Sequence, residues 1–244
     1  MHRLVISALV LGSMLSGHTA EPPPAPVTNR YETRAAHDPN GIGHFYLGRE
    51  IAHVMGHQAA DWLERPEREE EEKTALLIES LKFQPGENVA DIGAGTGYLT
   101  RRIGPKILPR GKVFAVEIQQ EMLDLLTSKM AGFGVTNVVP VLGTITDPKL
   151  PAGGIDTIIM IDVYHEFDHP YEMTEAMCRA LKPGGRMVFV EFRGEDATVP
   201  IKRVHKMTEA QVKKEMAAHP LDWKETIRVL PWQHVIVFTK RGVR

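Results

Sequence analysis

Short apolar runs rich in β-branched residues recur through the later two thirds of the chain: "NVADIG", "KVFAVEI", "NVVPVLG", "DTIIMIDVY" and "RMVFVEF". Stretches with helical spacing lie between most of them, namely "GYLTRRIGPKIL", "QEMLDLLTSKMAGF" and "PYEMTEAMCRALK". Strands that alternate with helices predict a parallel sheet covered on both faces, an α/β architecture. Two further strand-like segments, "WKETIRVL" and "HVIVFTK", close the chain with only "PWQ" between them. A parallel pair needs a long crossover, so this pair is expected to be antiparallel.

Upstream the pattern changes. From Gly41 to Glu64, Ile51, Val54, Met55 and Trp62 fall at spacings that predict one apolar helix face. Pro66 suits the first turn of a second helix, "EREEEEKTALLIESL", in which Leu77, Ile78 and Leu81 form the buried stripe. Its glutamates complement the helix N-terminus and read as a solvated face. At the start of the chain "MHR", "LVISALVLGSML" and "SGHTA" give a basic, apolar, small-residue order, that of a secretory signal peptide over residues 1–20. The apolar run is short for a bilayer, and no membrane span is expected once the leader is removed. The expected organisation is therefore a signal peptide over 1–20, a Pro-rich linker over 21–42, a helical extension over 43–84 and the α/β domain over 85–244. The expected location is periplasmic or secreted.

Composition narrows the chemistry. The chain has 244 residues, with 29 basic and 31 acidic side chains, and its net charge of −2 gives no footprint for nucleic acid. Its single cysteine, Cys178, excludes an intramolecular disulfide and a thiolate zinc cluster, and it sits in a helical pattern as a small core residue. Oligomeric state has no signature in the sequence.

"VADIGAGTGYLT" carries a strand into a glycine-rich turn and a helix, the arrangement that holds nucleotide-like cofactors. Its glycines, Gly93, Gly95 and Gly97, give D-x-G-x-G-x-G from Asp91. The dinucleotide fingerprint needs its third glycine one position later, where Tyr98 stands, and a bulky side chain there is expected to push helix from strand. Glu117 ends the next strand, where an acidic side chain accepts hydrogen bonds from both hydroxyls of an unphosphorylated ribose. Asp91 adds a carboxylate that repels a pyrophosphate and favours a cationic amino group. These features favour a nucleoside with a cationic tail over a dinucleotide.

With these motifs in order, the sequence resembles the class I S-adenosylmethionine-dependent methyltransferases from about Glu87 onward. "VADIGAGTGYL", "VFAVEIQQEML", "VLGTITDPKLP", "IIMIDVYHEF" and "LKPGGRMVFVEF" match the family's successive segments. The resemblance implies a Rossmann-like methyltransferase fold with a seven-stranded, mostly parallel sheet and an antiparallel C-terminal hairpin strand. It implies S-adenosyl-L-methionine as cofactor, with Asp91, Gly93, Gly95 and Gly97 around the methionine end, Glu117 on the ribose and Ile118 on the adenine. Thr144 departs from the family's acidic residue near the adenine, so a backbone group or Asp147 is an alternative there. Asp162 ends the fourth strand beside the methionine portion.

Acceptor chemistry belongs beyond the carboxyl ends of the strands, which places "DVYHEF" at the site. His165 is the candidate base, with Tyr164 and Glu166 to orient a small-molecule or protein acceptor; positioning without acid/base work is the alternative for His165. The loop with Lys202, Arg203, His205 and Lys206 is expected to overhang the pocket, ahead of a helix capped by Thr208. On the leading helices His53 and His57 would share a face, yet no further ligands accompany them, and no metal is expected. Tyr46, Arg49 and Trp62 are candidates for a lid. An exported nucleoside-binding module without turnover, or a nicotinamide oxidoreductase, are the competing classes.

Overall fold

The computed structural model describes residues 30–242. The signal-peptide expectation, and residues 21–29 of the expected linker, lie outside these residues. Seven strands form the main sheet: β4 (Val89–Ile92), β5 (Val113–Glu117), β6 (Val138–Leu142), β7 (Ile155–Ile161), β8 (Leu181–Phe192), β9 (Leu221–Ile227) and β10 (Gln233–Lys240). Their spatial order is β6-β5-β4-β7-β8-β10-β9. All neighbours pair in parallel up to β8, and β10 runs antiparallel to both β8 and β9. The short "PWQ" connection thus makes the expected hairpin, and β10 inserts beside β8 with β9 at the edge. This is the seven-stranded Rossmann-like fold that the resemblance implied.

Helices α4 (Thr100–Ile103), α5 (Gln120–Gly132), α6 (Pro170–Ala180) and α7 (Glu209–Met216) follow β4, β5, β7 and β8 in the chain. Two apolar layers sandwich the sheet. One gathers Ile158, Met160, Phe189, Met177 and Cys178, and the other Leu77, Ile78, Leu81, Ile103, Val188 and Val235. The strand order reverses at β4, which has β5 on one side and β7 on the other. A cleft opens beyond the strand ends at such a point.

The N-terminal part differs from the helix expected over 41–64. Strands β1 (Tyr31–Thr33), β2 (Gly41–Tyr46) and β3 (Arg49–Ala52) form a separate antiparallel sheet, so β1 also interrupts the expected linker. Leu47 and Gly48, with φ of 48° and 91°, make the tight turn between β2 and β3. Positive φ at both central residues is the hairpin geometry that matches strand twist. Three short helices follow, α1 (Ala60–Leu63), α2 (Arg68–Glu72) and α3 (Thr74–Leu81). The single helix expected from Glu67 to Leu81 is broken at Lys73, which takes a left-handed conformation with φ 52°. Among the described residues no helix is long and apolar enough to cross a membrane.

Candidate active site

Beyond the carboxyl ends of β4, β5 and β7 lies a cavity of about 630 Å³, within the usual range for a small-molecule site. One wall is the glycine turn. Gly93 has φ 68°, and a Cβ there would sit 2.4 Å from Val163 Cγ2. Only glycine lets the turn lie this close to the end of β7. Gly95 also faces the cavity. Gly97 does not: a Cβ at Gly97 would meet Met130 Cε at 2.7 Å, so it serves the packing of α5.

Glu117 lines the cavity at the tip of β5 and is buried. Oε1 accepts the Gly95 N–H at 2.8 Å and Oε2 accepts the Ile118 N–H at 3.0 Å. Burial raises its protonation range, and these backbone donors oppose that shift. Each oxygen keeps a second lone pair for a ribose hydroxyl. Ile118 is half-exposed and lines the same wall.

Several expectations need correction here. Asp91 is buried outside the cavity lining, where Thr100 Oγ1 donates to it at 2.6 Å. Burial pushes its carboxyl up to about 6. It braces the turn against α4. Tyr98 does not force helix from strand: its ring is buried in the Leu77–Ile78 layer with Arg102 stacked 3.7 Å from its centroid. Thr144 and Asp147 close a small turn, with the Asp147 N–H donating to Thr144 Oγ1 at 3.0 Å. Neither lines the cavity, where the apolar Ile145 stands instead.

The opposite end of the nucleoside wall is ionic. Asp162, at φ 50° after β7, accepts from Gln233 Nε2 at 3.1 Å through Oδ2, while Oδ1 is buried without a hydrogen-bond partner. Burial, with Glu72 and Glu191 nearby, holds its carboxyl well above the usual range. Glu72 belongs to the glutamate run expected to be solvated, yet it is 4% exposed and faces the cavity. Arg65 Nη2 donates to Glu72 Oε1 at 2.7 Å, and Arg68 Nε donates to Oε2 at 2.9 Å. Arg65 and Arg68 also line the cavity. The sequence signal that went unread is the interleaving of arginines with that acidic run, at the i, i+4 spacing of Arg68 and Glu72.

At the other end, the single turn Tyr164–Glu166 follows β7, and the turn Arg203–His205 lies in the loop after β8. A bridge between Arg193 and Met207 returns that loop to the sheet. His165 Nδ1 lies 2.6 Å from Glu191 Oε2, and His165 Nε2 lies 3.2 Å from His205 Nδ1. Glu166 Oε1 is 3.9 Å from His165 Nε2 and 3.8 Å from His205 Nδ1. Burial lowers both imidazoles to about 4, raises Glu166 to about 7 and raises Glu191 to about 8. Both histidines are therefore neutral near pH 7. His165, Glu166, His205 and Lys202 line the cavity. Glu191 went unremarked in the sequence, although a carboxylate inside the apolar run "RMVFVEF" is the signal of a buried partner.

Tyr164 is fully buried and lies outside the cavity lining, contrary to its expected part in orienting an acceptor. Its hydroxyl donates to Glu215 Oε2 at 2.7 Å. Arg49 forks onto Glu215 at 2.8 and 3.1 Å and donates through Nη1 to the His165 carbonyl at 3.1 Å. Arg49 therefore anchors the N-terminal sheet, while Tyr46 is buried with its ring 5.5 Å from that of Tyr31, and neither lines the cavity. Trp62 does stand at the cavity rim, 53% exposed, with Arg65 over its ring. His53 and His57 share no helix, since His53 follows β3 in an irregular segment and His57 begins a single turn.

The site is thus a cradle with a backbone-oriented carboxylate, crossed by glycines and ended by an ionic group, and comparison with known proteins shows the family in which it occurs. A family model described as "Methyltransferase domain" matches residues 83–236. The chain belongs to this family of methyltransferases. Among curated relatives, the ubiquinone/menaquinone biosynthesis C-methyltransferase of Ectopseudomonas mendocina (strain ymp) is 32% identical over 118 residues, 48% of this chain and 46% of that protein. The match thus spans about half the length of these relatives. Among solved structures, an S-adenosylmethionine-dependent methyltransferase from Aquifex aeolicus aligns with TM-score 0.72 and 20% identity, over 76% of this chain and 99% of that one. The [4+2]-cyclase SpnF aligns with TM-score 0.60 and 13% identity, over 70% and 80%. These structural likenesses concern the fold.

Proposed function

We propose that this enzyme methylates a small molecule with an apolar body, received at the His165–Glu166–His205 end of the cavity. The observation that carries this reading is that one cavity joins Glu117 and the ionic Arg68–Asp162 end to a largely apolar chamber. Met55, Val163, Phe167, Met173, Phe192 and Ile201 line that chamber. Such a chamber suits a compact apolar acceptor better than a polar protein side chain. The C-methyltransferase name of the curated relatives is consistent with an aromatic acceptor.

When bound, S-adenosylmethionine supplies an electrophilic methyl on a sulfonium, with a neutral thioether as leaving group. The chain's work is to hold that group, aim the acceptor and exclude water. In our assignment Glu117 accepts from the ribose hydroxyls and Ile118 packs on the adenine. Gly93 and Gly95 let the backbone approach, the open Oδ1 of Asp162 accepts from the amino group, and Arg65 and Arg68 face the carboxylate. His165, Glu166 and His205 stand where the acceptor's proton leaves as its nucleophilic atom becomes electron-rich.

The test is transfer of labelled methyl from S-adenosylmethionine to a panel of quinols, phenols and peptides. Methylation of a hydroxylated aromatic is the expected result, and labelling confined to peptides would refute the small-molecule reading. We further infer export from residues 1–20, on their basic, apolar and small-residue order. N-terminal sequencing of the mature protein from its native host should begin at Glu21, and a chain retaining Met1 would refute it.

A further inference from the structure

We propose that His165 Nε2, His205 Nδ1 and Glu166 form a binding site for a divalent transition metal of the zinc type, open towards the acceptor chamber. This deepens the function proposed above by naming how the acceptor is ionised, and it rests on that reading for the acceptor alone. The three ligand atoms stand 3.2, 3.8 and 3.9 Å apart. A triangle with those sides has its centre about 2.1 Å from each corner, which is the length of a zinc bond to imidazole or carboxylate, about 2.0–2.2 Å. Drawing the corners in by about a tenth or two of an ångström lifts an ion out of the plane and frees a fourth position. Two imidazoles and one carboxylate are borderline donors that suit zinc, cobalt or iron better than magnesium or calcium.

The surroundings have the form that metal-bound histidines take. Glu191, with no exposed surface, grips Nδ1 of His165 from behind at 2.6 Å and leaves Nε2 facing the other two ligands. A carboxylate behind a ligating histidine fixes its ring and strengthens it as a donor. Glu166 is held from its other oxygen, where the Met55 N–H donates to Oε2 at 3.3 Å. Arg49 fixes the His165 carbonyl at 3.1 Å. His165 and Glu166 are thus each aimed by a second contact on the far side. All three line the cavity, so the fourth position faces an incoming acceptor.

The acceptor class follows from this chemistry: a hydroxylated aromatic whose oxygen binds the ion. On binding, the O–H bond breaks, the proton passes to water and the metal–oxygen bond forms. The resulting aryloxide carries negative charge into its ring, where a carbon can attack a methyl group.

Titration of the chelator-treated full chain with Co²⁺, followed by visible absorption and by Zn²⁺ displacement, tests the site. One equivalent of Co²⁺, with the intense bands of a four- or five-coordinate ion, is expected. Glu191→Gln should weaken metal affinity by about 10- to 100-fold. His205→Ala and Glu166→Gln, at less buried ligands, should weaken it at least tenfold. S-adenosylmethionine affinity, measured calorimetrically on the same samples, should stay within about twofold and reports that each variant is folded. Absence of Co²⁺ and Zn²⁺ binding at micromolar concentrations, or binding that His205→Ala leaves unchanged, overturns the metal site. Methyl transfer that persists in chelator also overturns it while leaving the proposed function intact. Metal binding without transfer to any hydroxylated aromatic overturns the acceptor class instead.

Discussion

Glu117 illustrates how one side chain is set by its neighbours. Two backbone amides orient its carboxylate before any ligand arrives. Glu117→Ala should weaken S-adenosylmethionine binding by about 2 kcal/mol, roughly 30-fold in Kd by calorimetry, through loss of charge-assisted hydrogen bonds. Asp91 makes a different prediction, about stability. Its folded-state value near 6 lies above the ordinary 3.8 because of burial, so the native state binds the proton more tightly than the unfolded chain. Its contribution is most favourable below pH 4 and is lost as pH rises through 6. Relative to Asp91→Asn, the wild-type protein should gain about 2 kcal/mol between pH 7 and pH 4 in urea unfolding. The place of Glu117 at a strand tip after the turn was legible because it depends on local sequence. Tyr164 was misassigned for the opposite reason, since its partner Glu215 lies 51 residues away; the partners of Asp91 and Glu72 are nearby in sequence, and it was their burial, set by tertiary packing, that no local window shows.

Among the elements, the alternating strands and helices from β4 to β10 could be read because both the period and the connection lengths point one way. The hairpin β2–β3 could not. Its turn is Leu47–Gly48, and leucine at a positive φ hides the Asn-Gly signal that marks such hairpins. Leu47→Asn should accordingly stabilise the protein by about 1 kcal/mol, seen as a raised midpoint in urea, since asparagine tolerates this conformation better. Helix α7 was legible from its cap: the Gln211 N–H donates to Thr208 Oγ1 at 3.1 Å. Thr208→Ala should cost about 1 kcal/mol of stability in the same assay. The break at Lys73 lacked any glycine or proline to announce it, so α2 and α3 read as one helix.

At the scale of the molecule, the N-terminal sheet is tied to the methyltransferase fold by a buried ion pair. Arg49 and Glu215 are 166 residues apart in sequence and meet beneath the His165 turn, joined by the Tyr164 hydroxyl. Removing one partner of such a pair leaves the other charge buried, so Arg49→Ala should destabilise the protein by about 3–5 kcal/mol in equilibrium unfolding. Met55 adds a second tie, donating to Glu166 and accepting from Gln119 Nε2 at 2.9 Å. The sheet therefore reaches both the acceptor chamber and the nucleoside wall without supplying the glycine turn or Glu117.

That arrangement divides inheritance from novelty. The glycine turn and Glu117 lie in the stretch that the family model matches, whereas Arg65 and Arg68 of the ionic end, and the Arg49 strut under the His165 turn, lie ahead of it, in chain that the family model leaves out. A change in that leading hairpin would reach the His165 turn through Arg49 while leaving the glycine turn and Glu117 as they stand.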